Sequence, residues 1–286
     1  MRHEIIKVKM EDGFALTGQT WKPDNTVKGV IVIAHGLAEH TGRYEYVADY
    51  FAEQGYAVYA ADHRGHGVNR GATFGFFEHF SRLAEDLKQM IELARSEEKT
   101  VPLSLLGHSF GGLLALYYTI KYQSTLQGLI VSAPLVTASS EFPAPQRFVV
   151  RLLSGIAPQL SVQTIDSGTL SKDQAVVQSY DNDPQVYRGK VRARVAAEIV
   201  DAADFVRSNL SRITLPILIL HGSADRLVKP EYSQVVYDGV SSPDKTIKIY
   251  DGLYHEIMNE PEKARVLADI WVWLAAHQGT RPLKEA

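Results

Sequence analysis

Short apolar segments alternate with amphipathic helical patterns along most of the chain, and this alternation restricts the fold more than any other feature. Continuous apolar strands separated by helices indicate a mostly parallel sheet that is covered by helices on both faces. The sequence therefore predicts an α/β protein with an eight-stranded sheet. The predicted strands are Ile5–Met10, Ala15–Trp21, Val30–Ala34, Ala57–Ala61, Leu103–Leu106, Leu129–Val131, Ile217–Leu220 and Thr246–Tyr250.

Turn and helix signals support this order of elements. Glu11-Asp12-Gly13 separates the first two strands, which is typical of a hairpin. Helices are predicted over Tyr46–Gln54, which ends at Gly55, and over Ser81–Glu97. A last helix is predicted from about Pro261.

The alternation stops between Ser132 and Pro216, where the pattern predicts helices and loops and no strand. Ligands of α/β proteins bind at the carboxyl ends of the parallel strands. A long insertion after the sixth strand is therefore interpreted as a cap over that edge. The predicted division is a core of residues 1–136 and 208–286 with a helical cap of residues 137–207.

The sharpest chemical motif is Gly107-His108-Ser109-Phe110-Gly111, which lies between a predicted strand and a predicted helix. A G-x-S-x-G sequence in this context forms a sharp turn that exposes the serine oxygen. The two glycines are needed because helix and strand approach too closely there for a Cβ atom. Ser109 is therefore the candidate nucleophile.

A serine hydroxyl needs a base, and the base needs an acid that orients it. The order serine, acid, histidine along the chain indicates His255, after the last strand, as the base and Asp225, after the preceding strand, as the acid. The alternatives are His277, expected to be solvated at the end of the last helix, and Asp251, which would have to fold back sharply onto His255.

A tetrahedral intermediate needs two N–H donors. The residue after the nucleophile, Phe110, supplies one, and the backbone of Leu37 after the third strand is predicted to supply the other. His35 is interpreted as a residue that shapes this loop. The Asp62–Gly67 loop is interpreted as a self-bonded turn and not as a metal site.

Composition excludes several classes of protein. The net charge of −3 provides no basic excess for a nucleic acid, so none is expected as a partner. Cysteine is absent, which excludes disulfides, cysteine-ligated metals and a cysteine nucleophile. No cofactor and no metal are expected. The start of the chain lacks the apolar core of an export signal, and we expect a cytoplasmic protein.

Together these motifs resemble the monoglyceride lipase and lysophospholipase branch of the α/β-hydrolases, over nearly the whole chain. The matching segments are HGLAEHTGRY (35–44), ADHRGHG (61–67), GHSFGG (107–112), TIDSGTLSKD (164–173), YDNDPQVYRGKVRA (180–193), HGSADRLV (221–228) and DKTIKIYDGLYHEIMNEPE (244–262).

The resemblance implies an α/β-hydrolase fold with a cap after the sixth strand. It assigns Ser109, Asp225 and His255 to a catalytic triad, and Leu37 and Phe110 to an oxyanion hole. It matches Glu39, Arg43 and Tyr180 to positions near the glycerol-binding pocket of the mammalian enzyme, as substrate-binding residues.

The implied activity is hydrolysis of single-chain lipid esters through an acyl-enzyme, with monoacylglycerol as the favoured substrate. Lysophospholipase and broad-specificity carboxylesterase activities are the alternatives. Thioesterase, C–C hydrolase and serine peptidase activities, and a non-catalytic ligand-binding protein, are less favoured.

One cap helix, Gln146–Ile156, separates an apolar face from Arg147 and Arg151. The favoured interpretation is that the apolar face covers an acyl pocket. The alternative is that it makes transient contact with a membrane or micelle surface. The apolar residues are Phe148, Val149, Leu152, Leu153 and Ile156.

Overall fold

The computed structural model describes residues 1–71, 73–137 and 139–279. Eight of its strands lie where strands are predicted from the sequence, and two further short strands lie in the cap. The strands are β1 (Arg2–Lys9), β2 (Ala15–Lys22), β3 (Gly29–Ala34), β4 (Tyr56–Ala61), β5 (Leu103–His108), β6 (Gly128–Ser132), β7 (Ser161–Gln163), β8 (Val191–Arg192), β9 (Ile217–Gly222) and β10 (Lys245–Tyr250).

Eight of these strands form one twisted sheet in the order β1-β2-β4-β3-β5-β6-β9-β10. The pairs β1–β2 and β2–β4 are antiparallel, and the remaining pairs are parallel. The β1–β2 hairpin turns at Gly13, whose φ of 85° favours glycine. The eight predicted strands and the mostly parallel sheet are confirmed.

Helices cover both faces of the sheet. They are α1 (Glu45–Glu53), α2 (Phe80–Glu97), α3 (Phe110–Tyr122), α4 (Ala144–Ile156), α5 (Gln174–Asn182), α6 (Ala193–Asn209), α7 (Glu231–Gly239) and α8 (Lys263–Ala276). The core on one face joins the sheet to α2, α3, α6 and α7, and the core on the other joins it to α1 and α8. The central strands β3 to β6 and β9 are buried along their whole length because both of their faces are covered.

The cap contains α4, α5 and the start of α6, together with a small antiparallel pair of β7 and β8. The expectation that no strand lies between Ser132 and Pro216 is therefore wrong. In this β7–β8 pair, Ser161 lies opposite Arg192 and Gln163 lies opposite Val191. Strands this short carry no apolar alternation, so the sequence pattern does not predict them.

Helix α6 crosses the predicted end of the cap. It runs to Asn209 and packs on α3, and its residues Val195, Ala203 and Val206 belong to the core. The predicted boundary between 207 and 208 thus falls inside a helix, and the division into core and cap stays a prediction. Ala138 in the predicted cap and residues 280–286 of the predicted core lie outside the described residues. None of the helices in the described part of the chain combines the length and the apolar character that a membrane span requires.

Candidate active site

Ser109 stands on the tight turn between β5 and α3. Its φ of 54° and ψ of −115° are unusual for a residue with a side chain. A Cβ atom on Gly107 would collide with the carbonyl oxygen of Gly111, and one on Gly111 with that of Ala34. The glycines are therefore required by close packing, as the sequence predicts, and the turn holds Ser109 clear of the sheet.

His255 and Asp225 meet at the carboxyl ends of β9 and β10. The Nδ1 atom of His255 lies 2.7 Å from Oδ2 of Asp225, and both side chains are buried. This contact makes Nδ1 the protonated nitrogen and leaves Nε2 free to accept a proton. Asp251 is exposed and bonds Ser223 instead. The geometry thus pairs His255 with Asp225 and not with its sequence neighbour.

The rival histidine lies elsewhere. His277 stacks on Trp273 and bonds Asp244, with a largely covered side chain. The expectation that His277 is solvated is wrong, because the Trp273 ring and the last turn of α8 shield it. It has no contact with the cavity that holds Ser109.

Asp225 is held by more than His255. Its Oδ2 atom also lies 3.0 Å from Nε2 of a second buried histidine, His221, and its Oδ1 atom accepts the backbone N–H groups of Leu227 and Val228. Burial alone would raise the pKa of this carboxyl, but the hydrogen bonds from His221 and His255 outweigh burial and lower the pKa. Asp225 therefore stays ionised and fixed in place.

Leu37, on the loop after β3, and Phe110, at the start of α3, are the two predicted N–H donors. Leu37 lines the same cavity as Ser109, and Phe110 begins α3 directly after it. Within the described residues, neither N–H group meets an acceptor. The chain reverses at Ala38, whose φ is 70°. Both N–H groups are therefore available as hydrogen-bond donors, and their part in an oxyanion hole stays a prediction.

Buried histidines shape this loop. His35 bonds the carbonyl oxygen of Gly36 through Nδ1 and accepts the backbone N–H of His63 through Nε2. Burial holds the pKa of His35 well below its ordinary value and lowers that of His63 to about 3. The rings are therefore uncharged, and His35 has the structural part that the sequence indicates.

The Asp62–Gly67 loop is bonded to itself and to its neighbours. Asp62 accepts hydrogen bonds from Thr41 through Oδ1 and from the backbone of Val68 through Oδ2. Among the described residues, no group of three or more histidine, aspartate or glutamate side chains is arranged to hold a metal ion.

One cavity of about 270 Å³ joins these groups beneath the cap. Ser109, His255, His108 and Leu37 form its floor, and side chains of α4, α6 and the loop around Leu170 form its walls. Burial lowers the pKa of His108 to about 3, so the ring that lies beside His255 is uncharged. Most of the wall is apolar, which suits a hydrocarbon chain. The apolar wall residues include Leu135, Val150, Val162, Ile165, Ile199 and Leu227.

At one end of the cavity, a buried ion cluster surrounds Arg43. Its guanidinium binds Glu256 through two bonds of 2.6 Å and Glu39 through one of 2.5 Å, and it stacks 4.8 Å from the ring of Tyr180. Burial would lower the pKa of Arg43, but the two carboxylates outweigh burial and raise it well above its usual value. Glu39 also accepts bonds from the Gly36 N–H and the Tyr44 hydroxyl. All three charges are therefore fixed.

Two of the three predicted substrate-binding residues line the cavity, and the third does not. Glu39 and Tyr180 line the cavity, as does Glu256, which sequence reasoning missed. Arg43 lies behind that wall, bound to both carboxylates. The only signal for Glu256 in the sequence is its position directly after His255, because its partner is 213 residues away.

Helix α4 lies with the opposite orientation to the favoured expectation. Its cavity side carries Gln146, Arg147, Val150 and Arg151, and none of the five predicted apolar residues lines the cavity. Leu153 is half-buried. Helix α4 packs on α6, and the side that meets the protein carries the small, buried Ser154 and the half-buried Val150 and Leu153, so the bulkier apolar residues are left outside. The ion pair of Arg151 with Asp201, at 2.7 Å, is largely exposed and contributes little. We call the solvent-facing set the outer face, which consists of Phe148, Val149, Leu152 and Ile156.

Comparison with known proteins agrees with this geometry. Residues 25–262 match the family model described as "Serine aminopeptidase, S33". A monoacylglycerol lipase of Mycolicibacterium smegmatis is 36% identical over 96% of this chain and 99% of its own length. The chain belongs to the monoglyceride lipase family of the α/β-hydrolases. A rat monoglyceride lipase is 33% identical over 92% of this chain and 88% of its own length.

Solved structures of the family have the same fold. The crystal structure of a monoacylglycerol lipase from Paleococcus ferrophilus superposes with a TM-score of 0.80, at 28% identity, over 92% of this chain and 99% of that one. The α/β-hydrolase fold and the family of serine ester hydrolases, both implied by the sequence motifs, are confirmed.

Proposed function

We propose that the protein hydrolyses monoacylglycerols to a fatty acid and glycerol. The observation that carries the proposal is the contact of His255 with Asp225, with His255 and Ser109 on the floor of one apolar cavity. The relatives named above, with lipase activity in their names, support the same substrate class.

In the proposed reaction, Ser109 attacks the ester carbonyl while Nε2 of His255 takes the hydroxyl proton. The N–H groups of Leu37 and Phe110 bind the oxyanion. His255 then gives its proton to the leaving alcohol, and water attacks the acyl-enzyme with His255 again as base. Asp225, kept ionised by its hydrogen bonds, stabilises the imidazolium at each step.

The position of the two halves of the substrate follows from the cavity. The apolar wall beneath α4 and α6 suits the acyl chain, and the polar end with Glu39 and Tyr180 suits the glycerol. Arg43 would act from behind by holding Glu39 in place.

Peptidase activity, which the family description raises, is disfavoured by the lining of the cavity. A peptide backbone would need hydrogen-bond partners along its length, and most of the cavity wall is apolar. A long apolar chain needs no such partner, which favours a lipid ester.

A kinetic experiment tests the assignment. Ser109→Ala should remain folded and lose about 10⁵- to 10⁶-fold in kcat on a monoacylglycerol. A panel of a monoacylglycerol, a lysophospholipid, a thioester and an aminoacyl amide distinguishes the activities. A folded Ser109→Ala enzyme that keeps most of its activity would refute the mechanism, and a preference for another member of the panel would refute the substrate.

The outer face supports a second part of the proposal, contact with a lipid surface. Phe148 is 68% exposed and Ile156 is 72% exposed, and the neighbouring Leu160 and Val162 are also exposed. Side chains of this kind are normally covered, and a contiguous exposed patch marks an interaction site. The opposite side of the same helix is a wall of the cavity. A lipid that leaves a membrane or micelle under α4 would therefore enter the cavity directly.

The cytoplasmic location expected from the sequence is also a proposal. The absence of cysteine is compatible with a reducing compartment. Fractionation of cells that carry the tagged protein tests it, and recovery with the secreted or periplasmic fraction would refute it.

A further inference from the structure

The two residues that flank His255 are held by groups outside the predicted triad. The N–H of Tyr254 donates to Oε1 of Glu260 at 2.9 Å, and the N–H of Glu256 donates to the carbonyl oxygen of Leu170 at 2.8 Å. Leu170 belongs to the cap and is buried. The peptide on each side of His255 is therefore fixed, one by a carboxylate of its own loop and the other by the cap.

Glu260 connects these two supports. Its side chain is completely buried, and besides Tyr254 it accepts the N–H of Lys172 through Oε1 at 3.2 Å and the hydroxyl of Ser171 through Oε2 at 3.0 Å. Ser171 in turn accepts the N–H of Asp173. A single buried carboxylate thus joins the loop of His255 to the cap segment 170–173.

We infer that Glu260 is a positioning residue that, with this cap segment, holds the His255 loop in the geometry needed for proton transfer. The inference rests on the proposed function, because it gives His255 the part of the base. Small displacements of a base from its reacting partner cost large factors in rate. The cap segment 170–173 accordingly supports the active site.

The chemistry of Glu260 suggests a pair of variants that separates its hydrogen bonds from its charge. Glu260→Gln retains an oxygen that can accept the two backbone N–H groups. Its amide N–H can donate to the hydroxyl oxygen of Ser171. Glu260→Ala leaves both N–H groups buried without an acceptor, which is unfavourable. Glu262→Ala is the matched control, because Glu262 lies on the same loop and binds Lys172 only at the surface, through Nζ.

The experiment measures kcat and KM on a short, water-soluble ester, so that binding in the acyl cavity and contact with lipid have little influence. We expect Glu260→Ala to lower kcat by about 10²-fold with KM nearly unchanged. Glu260→Gln should recover most of kcat, and Glu262→Ala should match the unmodified enzyme. Thermal unfolding of each variant checks that it is folded.

A folded Glu260→Ala enzyme with unchanged kcat, or a loss confined to KM, would overturn the inference. Equal losses in Glu260→Ala and Glu260→Gln would also overturn it, because charge and not hydrogen bonding would then be responsible. If Glu260→Ala does not fold, Ser171→Ala removes one of the three bonds, and a smaller loss of kcat is expected; an unchanged kcat there contradicts the inference. An unmodified enzyme without esterase activity would instead refute the proposed function.

Discussion

The exposed side chains Phe148 and Ile156 allow a direct test of contact with a lipid surface. Complete burial of such a side chain contributes about 1.5–3 kcal/mol. Since the two are 68% and 72% exposed, moving their free surface out of water would contribute up to about 2–4 kcal/mol. The double substitution Phe148→Ser with Ile156→Ser removes most of this. We expect partitioning to vesicles to fall by at least about tenfold, which corresponds to ~1.4 kcal/mol.

The assay has two readouts. Flotation with phosphatidylcholine vesicles measures partitioning, and kcat/KM is compared between a long-chain monoacylglycerol in those vesicles and a short, soluble ester. Only the vesicle substrate should be affected, because no residue of the outer face lines the cavity that holds Ser109. The matched control is Val272→Ser on α8, which is 59% exposed and lies outside the cap.

Two results would refute the reasoning. Unchanged partitioning of a folded double variant would mean that the outer face does not enter lipid. An equal loss in the Val272→Ser control would mean that any exposed apolar residue contributes and that α4 has no special part.

Three further predictions concern the site itself. Asp225→Asn should lower kcat by as much as ~10⁴-fold through the wrong histidine tautomer, and Asp251→Asn should be mild; the reverse order of the two rates would contradict the assignment. Burial would raise the pKa of Glu256, but Arg43 lowers it to about 2, so its stabilising contribution is complete above about pH 4.5 and is lost as the pH falls towards 2. Denaturant unfolding of Glu256→Gln should therefore depend less on pH between about 5 and 3 than that of the unmodified protein, and an identical dependence would exclude this ion pair as the source. Val150→Asp puts a charge on the cavity wall and should lower the ratio of kcat/KM for long-chain to short-chain esters; an unchanged ratio in a folded variant would mean that the acyl chain lies elsewhere.

The sequence is informative wherever a local pattern determines the structure. Buried strands need continuous apolar runs, so the five central strands of the main sheet could be located. The more exposed β1 could be located by the turn at Glu11-Asp12-Gly13, which separates it from β2. The elbow around Ser109 depends on two glycines that lie within a few residues of it. The contact of His255 with Asp225 could be predicted because residues at the ends of adjacent parallel strands meet at one edge of the sheet.

Contacts between distant segments could not be predicted in this way. The bond between Arg43 and Glu256 joins residues 213 positions apart, and no spacing or periodicity relates them. The hydrogen bonds of the buried Glu260 could not be predicted either, because its partners Ser171 and Lys172 lie on the cap, far away in the sequence.

The predicted orientation of α4 is wrong for a different reason. The separation of apolar and polar residues shows that a helix has two faces, but it does not say which face meets the protein. The usual assumption that the larger apolar face points inwards fails here, because the side with the small Ser154 and the half-buried Val150 and Leu153 meets the protein instead. The outer apolar face then remains exposed and can contact a lipid surface, as proposed above.

The ion cluster behind the cavity wall has a consequence for the end of the reaction. Arg43 supplies one positive charge and Glu39 and Glu256 supply two negative ones, so the cluster has a surplus negative charge in a region of low dielectric. An uncharged ester experiences little force from it on entry. A fatty acid product is ionised at neutral pH, and like charges then repel it from Glu39 and Glu256 towards the α4 side of the cavity, where Arg147 is positive. The same carboxylates that fix the loops would thus favour departure of the product over its retention and limit inhibition by accumulated fatty acid.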